Sequence, residues 1–247
     1  MNRILFEREE IGADGTARLA PDDVRAVHVR TVLKAEAGCP LKTGVVDGPA
    51  GVSRILSVSP EGAVSIQTSH GDEAPAPWFD LLLAMPRPRS YKRLLPQITA
   101  MGARRIALVW AEKTEKAYWG AKIVDPGVAR PCMVEGLMQS GATVLPLVSA
   151  HRDFAAFARS GALARMFEGQ PARFAAHPSR DPGADLRAAA GTVPVLAIGP
   201  EGGWTDAELG MLEKESFARI SLGPRILRSD TAAIALAAAV AAARALA

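Results

Sequence analysis

The sequence predicts an α/β protein in two parts, a small N-terminal β-barrel or sandwich and a larger domain built on a mainly parallel sheet with helices on both faces. Three observations predict it. Residues 38–69 hold short β-branched stretches cut by Asp47-Gly48, Pro49, Gly51 and Pro60-Glu61-Gly62, the spacing of a small all-β unit. Residues 70–79 are polar and Pro-rich and mark a boundary, which divides the chain into 1–72 and 73–247. Beyond it, apolar runs of four to six residues alternate with helical segments, the pattern of strand–helix–strand units.

In order, residues 21–38 read as a helix, with Val24, Val27, Val32 and Leu33 recurring near a helical period. Residues 80–85 read as a strand and 90–101 as a helix despite Pro96, with Gly102 as its C-terminal stop. Residues 106–110 form a strand, 128–140 a helix that tolerates Pro131 near its start, and 143–148 a strand. Residues 153–167 are largely helical, 174–177 and 193–198 are strands, 206–217 a helix, 218–222 a strand and 231–247 a helix. That last segment is almost all Ala. It falls short of a membrane span and contains Arg244, so it reads as a helix packed in a core or against another subunit.

Two loops carry the functional signal. Val193-Pro-Val-Leu-Ala-Ile198 runs into Gly199-Pro200-Glu201-Gly202-Gly203-Trp204, and Thr205 with Glu208 then forms the capping box of a helix. The second loop repeats the design: Ile220-Ser-Leu222, then Gly223-Pro224-Arg225-Ile226-Leu227-Arg228, with Ser229 or Asp230 as the next cap. If the two strands are neighbours, the loops face one pocket, and ligands of open α/β sheets sit at such strand ends. A phosphate cradle is disfavoured, because no Lys follows the glycines and Glu201 supplies negative charge. The Gly-x-Gly-x-x-Gly dinucleotide fingerprint is absent. Two readings stay open, a tight turn without a ligand and a backbone surface for a neutral or cationic one.

The charge of +3 is unevenly spread, since residues 1–72 carry eight basic and ten acidic groups. Between residues 86 and 116 stand Arg87, Arg89, Lys92, Arg93, Arg104, Arg105, Lys113 and Lys116 against Glu112 and Glu115. That cluster is either a nucleic-acid footprint or a solvated helix face. Cys39 and Cys132 read as free thiols of a cytosolic protein, with a single disulfide as the alternative. The four histidines lack metal-ligand spacing, and the first residues lack a signal peptide's pattern.

Ile198 to Thr205, followed at this distance by Leu222 to Ala232, closely resembles the RsmE-type 16S ribosomal RNA uridine-N3 methyltransferases of the SPOUT class. His28 to Lys34 with Gly38 and Asp47-Gly48 looks like that family's PUA-like N-terminal barrel, and Glu135, Gln139-Ser140 and Val144-Leu145-Pro146 like its middle helix and strand. The resemblance implies a C-terminal trefoil knot, a cytoplasmic homodimer, S-adenosyl-L-methionine as methyl donor without a metal, and 16S ribosomal RNA or the small subunit as partner. It implies donor binding by Leu196, Ile198, Gly199, Pro200, Gly202, Leu222, Gly223, Ile226, Leu227 and Thr231. A sulfonium cation without phosphate suits a glycine loop that carries Glu201 and no Lys. Methylation at N3 of uridine implies Arg228 as the cation that stabilises the uracil anion and Glu201 as the base. RNA contacts are expected at Arg3, Arg25, Arg30 and Lys34 of the barrel and at Arg87, Arg89, Lys92 and Arg93.

The chain departs from the family's pattern in three places. Gln97-Ile98-Thr99-Ala100-Met101-Gly102 replaces Lys-Ala-Thr-Glu-Leu-Gly, Met138-Gln139-Ser140-Gly141-Ala142 stands where the family has Glu-Gln with a nearby Arg, and Ser229-Asp230-Thr231 replaces Thr-Glu-Thr. The rival functions are an inactive RNA-binding protein that retains the fold and a methyltransferase with another RNA target. A dehydrogenase or other nucleotide enzyme lacks its glycine fingerprint.

Overall fold

In the computed structural model, which describes all of residues 1–247, the chain divides into two units: 1–76 with 133–145, and 77–132 with 146–247. The first unit contains β1 (Ile4–Phe6), β2 (Thr16–Leu19), α1 (Val24–Thr31), β3 (Pro40–Val45), β4 (Ala50–Val58) and β5 (Val64–Gln67). The second contains β6 (Phe79–Ala84), α2 (Pro88–Ala100) and β7 (Ala103–Val109); α3 (Pro126–Ser140) then spans the change of unit at residue 133. The chain continues with β8 (Leu147–His151), α4 (Phe154–Arg159), α5 (Ala162–Met166), β9 (Arg173–Ala176), β10 (Val195–Ile198), α6 (Asp206–Lys214), β11 (Ala218–Ile220) and α7 (Ser229–Ala245).

In the first unit the strands lie in the order β1-β3-β4-β5-β2, antiparallel except for the β1–β3 pair. Phe6, Leu19, Ile55 and Ile66 fill its core with Ala26 and Val29 of α1. The helix therefore buries the face opposite the one its valines suggest. Val24 and Val32 are 71% and 64% exposed, and Val27 and Leu33 are also open to solvent. The small residue Ala26 lets the helix approach the sheet, so its apolar period misidentified the buried side. Arg25 fixes the start of α1. It donates to Asp23, the helix N-cap, to both oxygens of Glu10 and to the carbonyl of Leu5, and it lies over the ring of Phe6.

The second unit holds a six-stranded, all-parallel sheet in the order β11-β9-β10-β6-β7-β8. Leu82, Ala84, Ala107, Val109, Ala175, Val195 and Ala197 face Phe154, Phe157, Leu163, Leu209 and Leu212 of α4, α5 and α6. Residues of the other parity point to the opposite face, where α2 and α7 pack on each other and on β7 and β10. Asp80, fully buried in β6, accepts from Arg104 and Gln170 and so satisfies its charge inside the sheet.

The strand expected at 143–148 lies instead at Leu147–His151. Pro146 has no N–H for a ladder, and Thr143 is taken by a turn, its hydroxyl donating to the Gly48 carbonyl. The last helix buries one stripe, Ser229, Ala233, Leu236, Ala237 and Val240, and Arg244 near its end stacks on Trp78. No helix is long and apolar enough to cross a membrane.

The Arg25 hydrogen bond holds the Glu10 carboxyl below its ordinary range, and Asp23 is also lowered: Arg25 outweighs the burial that opposes it there. Carboxylates lowered on folding add stability above their unfolded pKa and lose it as pH falls through the folded one. Arg25→Met is expected to cost about 1–2 kcal/mol at neutral pH, less than a fully buried ion pair because the groups are partly exposed. Urea titrations should show that difference shrinking below about pH 4, where the carboxylates protonate.

Candidate active site

Because β9, β10 and β11 are parallel, their C-terminal ends open on one edge of the sheet. The strands before the two Gly-Pro loops are not neighbours; β9 lies between them. The loops nonetheless line one cavity of about 330 Å³, because the segment after β9, Ala176-His177-Pro178, forms the wall between them. Side chains tie the three loops. Ser221 Oγ accepts from the Ser179 and Gly223 amides and donates to the Ser179 carbonyl, and the His177 amide donates to the Ile220 carbonyl. Ser229 Oγ donates to the Gly199 carbonyl at 3.0 Å. Ser229 is thus a strut between loops rather than the expected cap, and the N-cap of α7, Arg228, makes no side-chain cap bond.

The glycines serve different needs. A Cβ on Gly199 would sit 3.1 Å from Trp204, whose buried indole packs against Phe154. Gly203 and Gly223 adopt φ of +71° and +103°, where a side chain brings strain. Behind the loop, the expected capping box forms: Thr205 Oγ1 accepts from the Glu208 amide, and Glu208 Oε2 accepts from the Thr205 amide. Glu208 does more than cap. Its other oxygen accepts from the Glu112 amide at 2.8 Å, which joins the loop after β7 to the start of α6.

Of the residues expected at a donor, Ile198, Gly199, Pro200, Gly202, Leu222, Gly223, Ile226 and Leu227 line the cavity. Leu196 is buried within β10 and Thr231 is exposed on the first turn of α7; neither lines it, and Ala232 does. Lys113, Ala176 and His177 also line it, though the sequence did not place them there. They come from strand ends elsewhere in the chain, and only the strand order brings them there. The wall is chiefly apolar, with Lys113, Glu201 and Arg225 as its charged groups. The cavity suits an adenosine-sized ligand with a cationic or zwitterionic arm, and the buried Trp204 Nε1 on its lining has no hydrogen-bond partner.

Glu201 and Arg228 are not paired. Glu201 Oε1 accepts from the Arg87 amide at 3.0 Å. Arg228 donates to Ser90 Oγ at 3.2 Å, and its Nε lies 3.8 Å from Asp230, which also pairs with Arg93. Arg228 belongs to a second hollow of about 600 Å³, lined by Arg87, Pro88, Arg89, Ser90, Arg93 and Tyr118. The Glu201–Arg87 bond links the two, because Glu201 lines the first hollow and Arg87 the second. Lys92 borders an adjoining hollow with Arg89 and Lys122. In the other unit, Arg25 is committed to Glu10 and Asp23, and Arg3 donates to the carbonyls of Gly141, Thr43 and Gly51. Arg30 donates to the Pro21 carbonyl, and Lys34 is exposed with φ of +48°.

Comparison with known proteins gives consistent results. A family model described as an RNA methyltransferase domain matches residues 72–241. The ribosomal RNA small subunit methyltransferase E of Treponema pallidum is 31% identical over 244 residues, covering 97% of this chain and 90% of that one. The ribosomal RNA small subunit methyltransferase E 1 of Borreliella burgdorferi is 22% identical over 87% of this chain and 88% of its own length. Among solved structures, the Neisseria gonorrhoeae ribosomal RNA small subunit methyltransferase E bound to S-adenosyl methionine shares the fold. Its TM-score is 0.70 at 22% identity, with 100% of this chain and 98% of that one covered.

Glu208→Ala removes the side-chain half of the capping box, the acceptor of the Thr205 amide, and the anchor of Glu112, while the bond from its own amide to Thr205 remains. The expected loss is about 1–2 kcal/mol in urea unfolding, together with faster hydrogen exchange at the Glu112 amide. Unchanged exchange there would show that the loop does not depend on Glu208.

Proposed function

The chain belongs to the RNA methyltransferase family, and from that premise we propose that it uses S-adenosyl-L-methionine to methylate N3 of a uridine in small-subunit ribosomal RNA. The observation that carries the proposal is the junction of two unlike hollows. One is largely apolar, bordered by glycines and carries charges of both signs; the other is ringed by four arginines and a tyrosine, and one hydrogen bond connects them. A sulfonium donor suits the first and a nucleotide of RNA the second. The Treponema relative's name and the donor bound to the Neisseria protein support the same reading.

When bound, the donor supplies an electrophilic methyl group. The chain's own task is to hold a uracil N3 in line with it, to accommodate the imide proton and to stabilise the anion left behind. Arg228 is held at the rim of the arginine hollow by Ser90 and Asp230, with its guanidinium oriented before substrate arrives. Arg89, Arg93 and neighbouring Lys92 offer charge to the phosphates on either side, and Tyr118 offers a face to a base taken out of its stack. Glu201 stands between the hollows as the candidate base. Ile198, Gly199, Pro200, Gly202, Leu222, Gly223, Ile226 and Leu227 are the candidate donor contacts.

The proposal extends to a SPOUT-type knotted C-terminal region, a PUA-like N-terminal unit and a cytoplasmic homodimer. The knot is supported by the return of the chain from β10 to β11 across β9. Arg30 and Lys34 remain candidate RNA contacts of the N-terminal unit. Arg3 and Arg25 are the weaker pair, since their charges are already engaged.

The direct test incubates the purified protein with small-subunit RNA and labelled donor and analyses digested nucleosides by mass spectrometry. The expected product is 3-methyluridine; methylation at carbon or at a ribose oxygen would reject the N3 chemistry. Arg228→Ala should retain donor affinity and lose about a hundredfold in turnover, the scale for removing one preorganised donor to a developing anion. Wild-type turnover would remove Arg228 from the mechanism.

Changing Arg87, Arg89, Lys92 and Arg93 together to Ala should weaken RNA binding and flatten its salt dependence. Each lost phosphate contact lowers the log–log slope by about 0.7 on single strands. Binding titrations at several salt concentrations read the slope, and an unchanged one would place the footprint elsewhere.

A further inference from the structure

The donor cavity is asymmetric. Ile198, Ile220, Leu222, Leu227 and Ala232 give it an apolar wall, whereas Lys113 and Glu201 bring charge to the side formed by the glycine loop. Lys113 is the better fixed of its two cations. Its Nζ donates to the Gly202 carbonyl at 3.1 Å, and its Cβ and Cδ lie 3.1 Å from where a Gly202 Cβ would be. Its backbone is held on both sides. The Glu112 amide donates to the buried Glu208, and the Thr114 amide and hydroxyl close a turn on Ala111. The Gly202 carbonyl takes one ammonium hydrogen and leaves two for a ligand.

We propose that Lys113 recognises the carboxylate of the methyl donor's amino-acid arm and thereby sets the direction in which the donor lies. This assignment rests on the methyl-donor reading of the cavity. An adenosine placed on the apolar wall directs its amino-acid arm toward the loop side. There the arm needs a cation for its carboxylate, and Lys113 supplies it. Both cations on the lining are exposed, but Arg225 makes no hydrogen bond or ion pair, whereas Lys113 is held to Gly202, so recruiting Arg225 would cost more side-chain entropy. The orientation also serves the transfer. Glu201 is bonded to Arg87 on the rim of the arginine hollow, so an arm held beside Glu201 brings the sulfonium toward that rim.

Calorimetry with two uncharged-sulfur probes separates ligand recognition from loop support. S-adenosylhomocysteine carries the amino-acid arm; 5′-methylthioadenosine keeps the adenosine and thioether without it. Lys113→Met retains the apolar stem beside Gly202 and removes the charge. It should weaken S-adenosylhomocysteine about tenfold or more, the scale of one hydrogen bond to a charged group, and leave methylthioadenosine affinity unchanged. Lys113→Arg should restore most of the difference, and rising salt should erode the wild-type preference for the arm. Equal weakening of both probes would show that Lys113 only supports the loop and would overturn the assignment, as would an unchanged affinity for S-adenosylhomocysteine. A wild-type protein that binds neither probe would overturn the donor reading itself, and this assignment with it.

Discussion

The position of β9 between β10 and β11 governs the site. Parallel pairing on both sides of β9 places three strand ends on one edge, but it also separates the two Gly-Pro loops by a strand's width on each side. A gap of that size would leave the loops independent if nothing filled it. Ala176-His177-Pro178 fills it, Ser221 ties the β9 and β11 loops together, and Ser229 carries the connection on to Gly199. The cavity is therefore a product of strand order, and each loop is held by a polar contact with a neighbour distant in sequence. Such cross-loop bonds matter because the loops lack a ladder of their own, and their glycines add conformational freedom that ordering must overcome.

The two hollows divide the electrostatic work. Four arginines around one space with Asp230 as the nearby carboxylate leave excess positive charge, suited to a polyanion. The adjoining cavity carries charges of both signs, suited to a zwitterion. Glu201 at the boundary accepts from the amide of Arg87, at the start of α2. That carboxylate adds negative charge at the mouth of the adjoining cavity, beside Lys113 and Arg225 on its lining. Arg228 draws on the same arrangement: Asp230, bound between it and Arg93, orients the guanidinium without burying it.

Much of this was legible in the chain. The strand-to-helix transitions around Gly199–Gly203 and the capping box of Thr205 and Glu208 depend on local chemistry, and the structure shows both. The alternation of elements gave the parallel sheet for the same reason. Strand order is nonlocal, so the neighbouring placement expected for β10 and β11 failed, and His177 and Lys113 were missed with it. Hydroxyl roles were also hidden: a Ser before a helix reads as a cap, yet Ser229 spends its proton on a carbonyl 30 residues away in sequence. In α1 the valines gave the correct helix and the wrong face, because a helix resting on Ala26 and Val29 approaches its sheet through small residues.

The departures at Gln97 and Ala142 fall away from both hollows, whereas Ser229-Asp230-Thr231 borders them. Gln97 is exposed on α2, about one turn beyond Arg93. Ala142 is buried against Leu5 and Leu137 in the N-terminal unit, where a longer basic side chain would have to leave an apolar cluster. Asp230 keeps the carboxylate of the residue it replaces on a shorter stem, and it still reaches Arg93 and Arg228. None of the three removes a wall of the donor cavity or a member of the arginine ring. Ser229 and Glu201 hold their contacts between loops, while Gln97 lies on the exposed face of α2. The pattern of change therefore favours a working methyl-transfer site whose outer contacts differ, over a fold retained for RNA binding alone.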